Sequence, residues 1–327
     1  MKNSNLVITL ACLVLASPLT LAAQPSAITT LHLQRPDDSF VTAYVEGIAK
    51  TSREPLLLVL QGSLCESVGP HGSDRMAIPV PPGFARLDIE KYGLSETDEG
   101  AEDKPCPTEY LQHNSIDQRV LDVLTVIASL RTNASWWNGQ LYLVGASAGA
   151  TVAALSGPLM PETRGIVLIN GSIGRPFREG WADAMAASEQ ASGGKPEEAR
   201  AEAAKTWEKA RRDPTWTEQA FGNGNTLKWW ASIIDQRPLN ALKLTRAPIL
   251  LLQSDHDEMT PVESARMAAA AFQQAGLDNL TYVELPGLTH GLLTTDGKPG
   301  WEPVLARVRA WLIAQQSRAS VSACEPK

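Results

Sequence analysis

The chain has 327 residues, of which 43% are hydrophobic and 20% are charged. A chain of this length and composition can bury a sizeable core, either as one large α/β domain or as two smaller domains. Acidic residues outnumber basic residues by 36 to 29, and the formal net charge is −7. This balance argues against a nucleic-acid partner, because such a partner requires a basic face.

The first 23 residues have the pattern of a cleaved secretory signal peptide. Lys2 provides a basic start, residues 6–16 form an apolar run, and the small residues Ala22 and Ala23 precede Gln24. The run is shorter than the ~20 apolar residues that span a hydrocarbon core, so no stable membrane anchor is predicted. A retained N-terminal anchor is the alternative. The prediction is export, to the periplasm or out of the cell.

Short apolar runs alternate with amphipathic stretches along the rest of the chain. This alternation indicates an α/β protein with a mostly parallel central sheet flanked by helices. The predicted strands, of which the first two form a hairpin, are residues 31–34, 40–47, 56–62, 84–90, 141–147, 165–171, 248–254 and 280–285. The predicted helices are residues 115–131, 150–155, 261–275 and 301–316.

Residues 174–243 interrupt the alternation between two predicted core strands. They contain five of the nine tryptophans and a stretch rich in Ala, Glu, Lys and Arg. We interpret them as a helical cap inserted into an α/β core formed by residues 24–173 and 244–316, with a tail at residues 317–327. The tryptophans either face a substrate pocket or only pack the cap onto the core, and the sequence leaves both possibilities open.

The strongest local motif is Gly145-Ala146-Ser147-Ala148-Gly149, a G-x-S-x-G turn that joins a predicted strand to a predicted helix. In such a turn the serine adopts a strained backbone conformation that holds its hydroxyl clear of the sheet, and small neighbours leave room for it. The motif therefore predicts that Ser147 is a nucleophile. A tight turn without chemistry is the alternative.

With this motif and two later segments, the chain resembles the α/β-hydrolase superfamily from about residue 31 to residue 312. Members order their triad as serine, then an acid after a later strand, then a histidine near the end. The acid loop resembles QSDHDEMTP at residues 253–261, and the histidine segment resembles ELPGLTHGLL at residues 284–293. The resemblance implies that Ser147 is the nucleophile and that His290 is the general base.

Two aspartates of the acid loop are candidates for orienting the histidine. Relatives commonly place the acid four residues after a polar residue at the strand end, with a proline four residues further on, and Gln253, Asp257 and Pro261 match this spacing. Asp255 fits neither offset. Asp257 is therefore the predicted triad acid, and Asp255 is the alternative.

Acyl transfer also requires backbone donors for the developing oxyanion. The resemblance implies that one donor is the amide of Ala148 and that the other comes from residues 61–64, called the oxyanion loop below. Many relatives carry His-Gly at this strand end, whereas this chain has Gln61-Gly62. The departure leaves the second donor open between Ser63 and Leu64.

Cys65 and Cys106 are predicted to form a disulfide, because each follows a predicted core strand and export would place both in an oxidising compartment. A pair that involves Cys324, or no bridge at all, is the alternative. The cysteine spacing is unlike that of a zinc site, and no phosphate loop or dinucleotide fingerprint is visible. No metal and no cofactor are predicted.

Together the motifs predict a serine hydrolase that acts on carboxylic esters through an acyl-enzyme. Serine at the turn argues against the relatives that use aspartate or cysteine there, such as dehalogenases and dienelactone hydrolases. A serine aminopeptidase or amidase is the alternative, because the triad is common to both classes, and a non-catalytic binding protein is a third reading. The predicted partner is a small-molecule ester or amide, while the natural substrate and the oligomeric state do not follow from the sequence.

Overall fold

Eight strands form one sheet in the computed structural model, which describes residues 27–72, 75–96, 98, 105–217 and 225–322. The strands are β1 (Ile28–Gln34), β2 (Phe40–Glu46), β3 (Glu54–Leu60), β4 (Ala85–Ile89), β5 (Trp137–Ala146), β6 (Thr163–Ile169), β7 (Ile249–His256) and β8 (Leu280–Thr289). Their order across the sheet is β1-β2-β4-β3-β5-β6-β7-β8. Only the pairings of β2, with β1 and with β4, are antiparallel. The predicted fold class is confirmed.

Helices cover the sheet and connect its parallel strands. Their bounds are α1 (Thr108–His113), α2 (Ile116–Asn133), α3 (Ala148–Ser156), α4 (Phe177–Ala191), α5 (Pro196–Arg212), α6 (Leu227–Ile233), α7 (Pro238–Leu242), α8 (Val262–Gln274) and α9 (Trp301–Ser322). The start of α2 follows from its sequence, because the Ser115 hydroxyl accepts a hydrogen bond from the Gln118 amide and caps the helix. Within the described ranges, no helix combines the length and the apolar character needed to cross a membrane.

Both faces of the sheet are buried, and this explains why the central strands read as continuous apolar runs. In β3, Leu56 and Leu58 belong to the core that also contains residues of α2, α3 and α8. Leu57 and Val59 belong to the core on the opposite face, which contains residues of α9. Successive side chains of a strand point to opposite faces, so every residue of such a run contributes to one core or the other. The sheet therefore gives a rigid support to the loops at the carboxyl ends of its strands.

Helices α4 to α7 occupy the segment between β6 and β7 that was predicted to be an inserted cap. An aromatic cluster lies between them, in which the ring of Trp230 has its centroid 4.7–5.7 Å from four neighbouring rings. Those rings belong to Phe177, Trp181, Trp207 and Trp229. Such contacts stabilise the cap internally, beyond the area that they bury.

The last helix differs from the prediction. The last helix was predicted to end at residue 316 and to be followed by a tail from residue 317. In the structure, α9 continues to Ser322. Residues 317–322 contain neither proline nor glycine, so nothing stops a helix that has already formed from propagating. The predicted signal peptide and Cys324 lie outside the described residues.

Candidate active site

Ser147 lies in a sharp turn between the end of β5 and the start of α3. Its backbone angles are φ 53° and ψ −123°, a region that non-glycine residues rarely adopt. The amide of Ser147 donates to the carbonyl of Ile169, 2.9 Å away, which ties the turn to the adjacent strand β6. Strain of this kind persists only where the surrounding structure enforces it, and here a parallel sheet and a helix hold both sides of the turn.

The two glycines of the G-x-S-x-G turn are required by close backbone contacts. A Cβ atom on Gly145 would lie 2.3 Å from the carbonyl oxygen of Gly149. A Cβ atom on Gly149 would lie 2.0 Å from the carbonyl oxygen of Leu60, at the end of β3. Any side chain at either position would therefore displace backbone atoms, and the turn that exposes the serine hydroxyl would be lost.

The structure brings the three predicted triad residues together from separate parts of the chain. Nε2 of His290 lies 3.0 Å from Oγ of Ser147, and Nδ1 lies 2.9 and 3.0 Å from the two carboxylate oxygens of Asp257. A carboxylate can only accept, so Nδ1 carries the proton and Nε2 is free to accept from the serine hydroxyl. This is the tautomer that a general base requires.

Asp257 is held by four donors in addition to His290. Its Oδ1 accepts from the amides of Met259 and Thr260, at 2.9 and 2.7 Å. Its Oδ2 lies 2.8 Å from Nε2 of Gln253 and 2.7 Å from the hydroxyl of Thr260. The carboxyl group is fully buried, so these contacts both fix its orientation and compensate the loss of water around its charge.

Asp255, the alternative acid, has a different partner. Its Oδ1 accepts from the amide of Gly287 at 2.7 Å, which links the end of β7 to the bend in β8. The contact is a local one between two strand ends. Of the two aspartates, Asp257 is the one whose carboxylate contacts the imidazole of His290.

Sequence reasoning missed Asn170 as a supporting residue for the histidine segment. Its Nδ2 donates to the carbonyl of His290 at 2.8 Å, and its Oδ1 accepts from the amide of Ser254 at 2.8 Å. Asn170 therefore ties the loop after β6 both to β7 and to the loop after β8. Its φ of 48° is a conformation in which asparagine is enriched, and a polar residue directly after a buried strand was the available signal.

The oxyanion loop passes close to the serine. The position of a Cβ on Gly62 would be 3.7 Å from Cβ of Ser147, and Ser63 lines the same pocket as Ser147 and Ala148. Leu64 instead exposes 44% of its surface. Ala148 is the first residue of α3, where backbone N–H groups have no acceptor within the helix.

Cys65 and Cys106 are joined by a disulfide, with their Cα atoms 5.8 Å apart. The bridge connects the residue after the oxyanion loop to the segment that leads into α1. It therefore ties the end of the oxyanion loop to the segment before α1, which agrees with the pairing that the sequence favoured.

Replacing both bridged cysteines by serine is expected to lower the free energy of unfolding by roughly 3 to 4 kcal/mol in the chain-entropy model. The reason is that the bridge closes a loop with a sequence separation of 41, which restricts the unfolded chain. Denaturant unfolding of the oxidised wild type, the reduced wild type and the double variant measures the effect. The reduced wild type should match the variant, and a free thiol at Cys65 in a non-reducing peptide map would contradict the pairing.

Ser147 borders a narrow pocket of about 30 Å³, and residues of α4 and α6 form part of its wall. Six of the twelve described lining residues are apolar, the other six are polar but uncharged, and none of the twelve is charged. The twelve are Ser63, Ser147, Ala148, Thr151, Ser172, Phe177, Asn225, Trp229, Trp230, Ile233, Met259 and Thr260. Of the tryptophans in the segment predicted to be a cap, Trp229 and Trp230 line this pocket, and the ring of Trp207 contacts that of Trp230.

Solved structures with the same fold include both esterases and peptidases. Est1E from Butyrivibrio proteoclasticus is 15% identical, with a TM-score of 0.52, over 88% of this chain and 99% of that chain. The esterase Pf2001 from Pyrococcus furiosus is 12% identical, with a TM-score of 0.56, over 90% and 91% of the two chains. The acylaminoacyl peptidase from Pyrococcus horikoshii is 14% identical, with a TM-score of 0.54, over 85% of this chain and 39% of that chain.

The sequence itself matches no curated protein, but it does match a family model. The model is described as serine aminopeptidase, S33, and the match covers residues 84–296, which is more than half of the chain. It includes the turn at Ser147, the acid loop and the histidine segment. The chain therefore belongs to the serine aminopeptidase S33 family, a family of α/β-hydrolases.

Proposed function

We propose that this protein is an exported serine hydrolase that cleaves carboxylic esters through an acyl-enzyme. The observation that carries the proposal is the continuous series of contacts from Ser147 Oγ to His290 and on to Asp257, at 3.0 and 2.9 Å. A nucleophile, a base and an orienting acid within hydrogen-bond distance are what covalent acyl transfer requires. Export, to the periplasm or out of the cell, rests on the pattern of residues 1–23, and the exported protein should begin at Gln24.

In the proposed reaction, Oγ of Ser147 attacks the carbonyl carbon of the ester while Nε2 of His290 takes the hydroxyl proton. Asp257 stabilises the imidazolium that forms. When the tetrahedral intermediate collapses, the C–O bond to the alcohol breaks and His290 gives its proton to the leaving oxygen. Water, activated by the same histidine, then attacks the acyl-serine and releases the acid.

The negative charge on the tetrahedral oxygen is proposed to be bound by the amides of Ala148 and Ser63. Ala148 begins a helix, whose N-terminus favours negative charge. Ser63 is favoured over Leu64 because Ser63 lines the serine pocket, whereas Leu64 exposes a large part of its side chain to solvent. Each donor of this kind contributes about 10²–10³ to kcat in a comparable site.

Three aromatic rings line the pocket and no charged side chain does so among the described residues, which supports a neutral acyl group and hence an ester substrate. The ammonium group of an aminoacyl substrate would lose its water in this pocket without gaining a carboxylate partner among the described lining residues, which is costly. An apolar acyl chain has no such cost, and it gains contacts with the rings of Phe177, Trp229 and Trp230.

A serine aminopeptidase or amidase is the second candidate, and one feature of the structure favours it. Glu189 and Glu258 line a groove beside the cap that shares Met259 with the serine pocket. Carboxylates in a groove that adjoins the serine pocket could hold the amino group of a peptide substrate. A non-catalytic binding protein is the third candidate, and labelling of Ser147 by a fluorophosphonate would exclude it.

A substrate panel on the purified mature protein separates the first two candidates. Short and long p-nitrophenyl esters are compared with aminoacyl p-nitroanilides and peptide amides, with Ser147→Ala as the blank. We expect a higher kcat/KM for the esters. Preference for aminoacyl anilides, together with a higher KM for them in Glu189→Gln or Glu258→Gln, would instead establish the aminopeptidase.

Ile233→Ala is expected to shift the acyl preference toward longer chains. Ile233 is buried and forms part of the pocket wall, so its truncation makes room for about two more methylene groups. The ratio of kcat/KM for octanoyl over acetyl esters should rise by about tenfold. The matched control is Ile234→Ala, because Ile234 is equally buried in the adjacent core. An equal change in both variants would show that the pocket does not bind the acyl chain.

A further inference from the structure

The carbonyl groups of the oxyanion loop are all held by side chains from other parts of the fold. The guanidinium of Arg119 donates to the carbonyls of Gln61 and Gly62, at 2.6 and 3.1 Å. The hydroxyl of Tyr110 donates to the carbonyl of Ser63 at 2.9 Å, and Nζ of Lys91 donates to the carbonyl of Leu64. The next residue is the disulfide-bonded Cys65, so five successive residues are restrained.

The three donor side chains are buried and come from different elements. Arg119 lies in the first turn of α2, Tyr110 in α1, and Lys91 two residues after the end of β4. Each exposes 5% of its surface or less. Burying two cations beneath a loop is costly unless strong acceptors surround them. The loop carbonyls provide such acceptors, and charge-assisted hydrogen bonds of this kind fix the direction of each peptide group.

Because peptide groups are planar, side chains that fix the direction of the loop carbonyls also fix the direction of the loop amides. In a planar trans peptide the C=O of one residue and the N–H of the next point in opposite directions. Because the Gly62 carbonyl points toward Arg119, the amide of Ser63 points away from it. The same bond also polarises the Gly62–Ser63 peptide, which makes the Ser63 amide a stronger donor.

We propose that Arg119 is a positioning residue for transition-state stabilisation, which holds and polarises the Ser63 amide so that it binds the oxyanion. Tyr110 supports it by fixing the following peptide through the Ser63 carbonyl. The proposal rests on the proposed serine-hydrolase function, in which the Ser63 amide is the second oxyanion donor. Arg119 lies 58 residues along the chain from Gln61, the first residue of the loop that it holds.

The test compares Arg119→Met, Arg119→Lys and Tyr110→Phe with two controls. Arg131→Met removes an arginine from the same helix whose partner is Glu162, away from the loop. Tyr142→Phe removes a buried hydroxyl that has no hydrogen-bond partner among the described residues.

Active sites are counted by complete labelling with a fluorophosphonate, so that kcat refers to folded, reactive enzyme. The Ki of an alkyl boronic acid, which forms a tetrahedral adduct with the serine, reports oxyanion binding directly.

For Arg119→Met we expect kcat per labelled site to fall by about 10- to 100-fold, because a donor that is misplaced loses part of the 10²–10³ that it contributes. The Ki of the boronic acid should rise by the same factor, while KM changes by less than about twofold, since the loss is confined to the transition state. Arg119→Lys should recover part of the loss. Tyr110→Phe should lower kcat per labelled site and raise the Ki of the boronic acid, each by a few-fold. Both controls should match the wild type.

A purely structural role would give a different result. Thermal stability and the number of labelled sites would fall, but kcat per site and the Ki of the boronic acid would stay at wild-type values, and this would overturn the proposal. If Arg119→Met does not fold, Arg119→Lys and Tyr110→Phe decide by the same two measurements. A wild-type protein that neither hydrolyses esters or amides nor reacts with the fluorophosphonate would refute the proposed function itself, which is a separate outcome.

Discussion

Ser147→Ala is expected to lower turnover by about 10⁶-fold while the fold and the substrate pocket are retained. In the proposed mechanism Oγ of Ser147 forms the acyl-enzyme, and the described site offers no second hydroxyl in contact with His290. Alanine removes one atom, and Ala146 and Ala148 on either side show that the turn accommodates a methyl group. The residual rate would come from binding and from the oxyanion donors alone.

The measurement is kcat on the best ester of the panel, with circular dichroism and thermal unfolding as checks of the fold. Ser156→Ala is the matched control, since this serine lies in α3 and its hydroxyl donates to the carbonyl of Val152. The control should keep wild-type turnover. His290→Ala should lose as much activity as Ser147→Ala, and the double variant no more, because the two residues act as one unit. Retention of more than a few per cent of activity by Ser147→Ala would assign the nucleophile elsewhere.

The fold could be predicted because its determinants are local. The central strands are buried on both faces, so each one appears in the sequence as an unbroken apolar run. In the helices between them, apolar residues recur with the helical period. The turn at Ser147 is also local, since its two glycines and its small neighbours lie within five residues. Strand order then brings the loops after β5, β7 and β8 to one edge of the sheet.

The supporting roles of Arg119 and Asn170 could not be predicted, because their contacts join distant parts of the chain. Arg119 reads in the sequence as one more charged position in an amphipathic helix, yet its guanidinium holds the oxyanion loop. Asn170 contacts a carbonyl 120 residues away. No periodicity or propensity encodes such pairs, and only the packed structure brings them together. Gln253 differs, because its amide donates to the carboxylate of Asp257 only four residues away, and the spacing of the acid loop had already marked its position.

The second large effect is expected from a substitution of Asp257, the aspartate that contacts His290. Asp257 faces three N–H donors, from the amides of Met259 and Thr260 and the side chain of Gln253, as well as the imidazole. An asparagine at this position would keep its oxygen on the two backbone amides and turn its NH₂ toward the histidine. Nδ1 of His290 would then have to accept, and the imidazole proton would move to Nε2, which faces Ser147.

Asp257→Asn is therefore expected to lower kcat by about 10⁴-fold, because the imidazole is held in the tautomer that cannot take the serine proton. Asp255→Asn is the matched control within the same loop. Its amide oxygen can still accept from the Gly287 N–H, so the loss should stay within roughly tenfold, which corresponds to a hydrogen bond worth ~1 kcal/mol. Turnover of the two folded variants is compared on the same ester. The opposite ranking would assign the orienting role to Asp255, and it would mean that the acid loop rearranges around His290 when substrate binds.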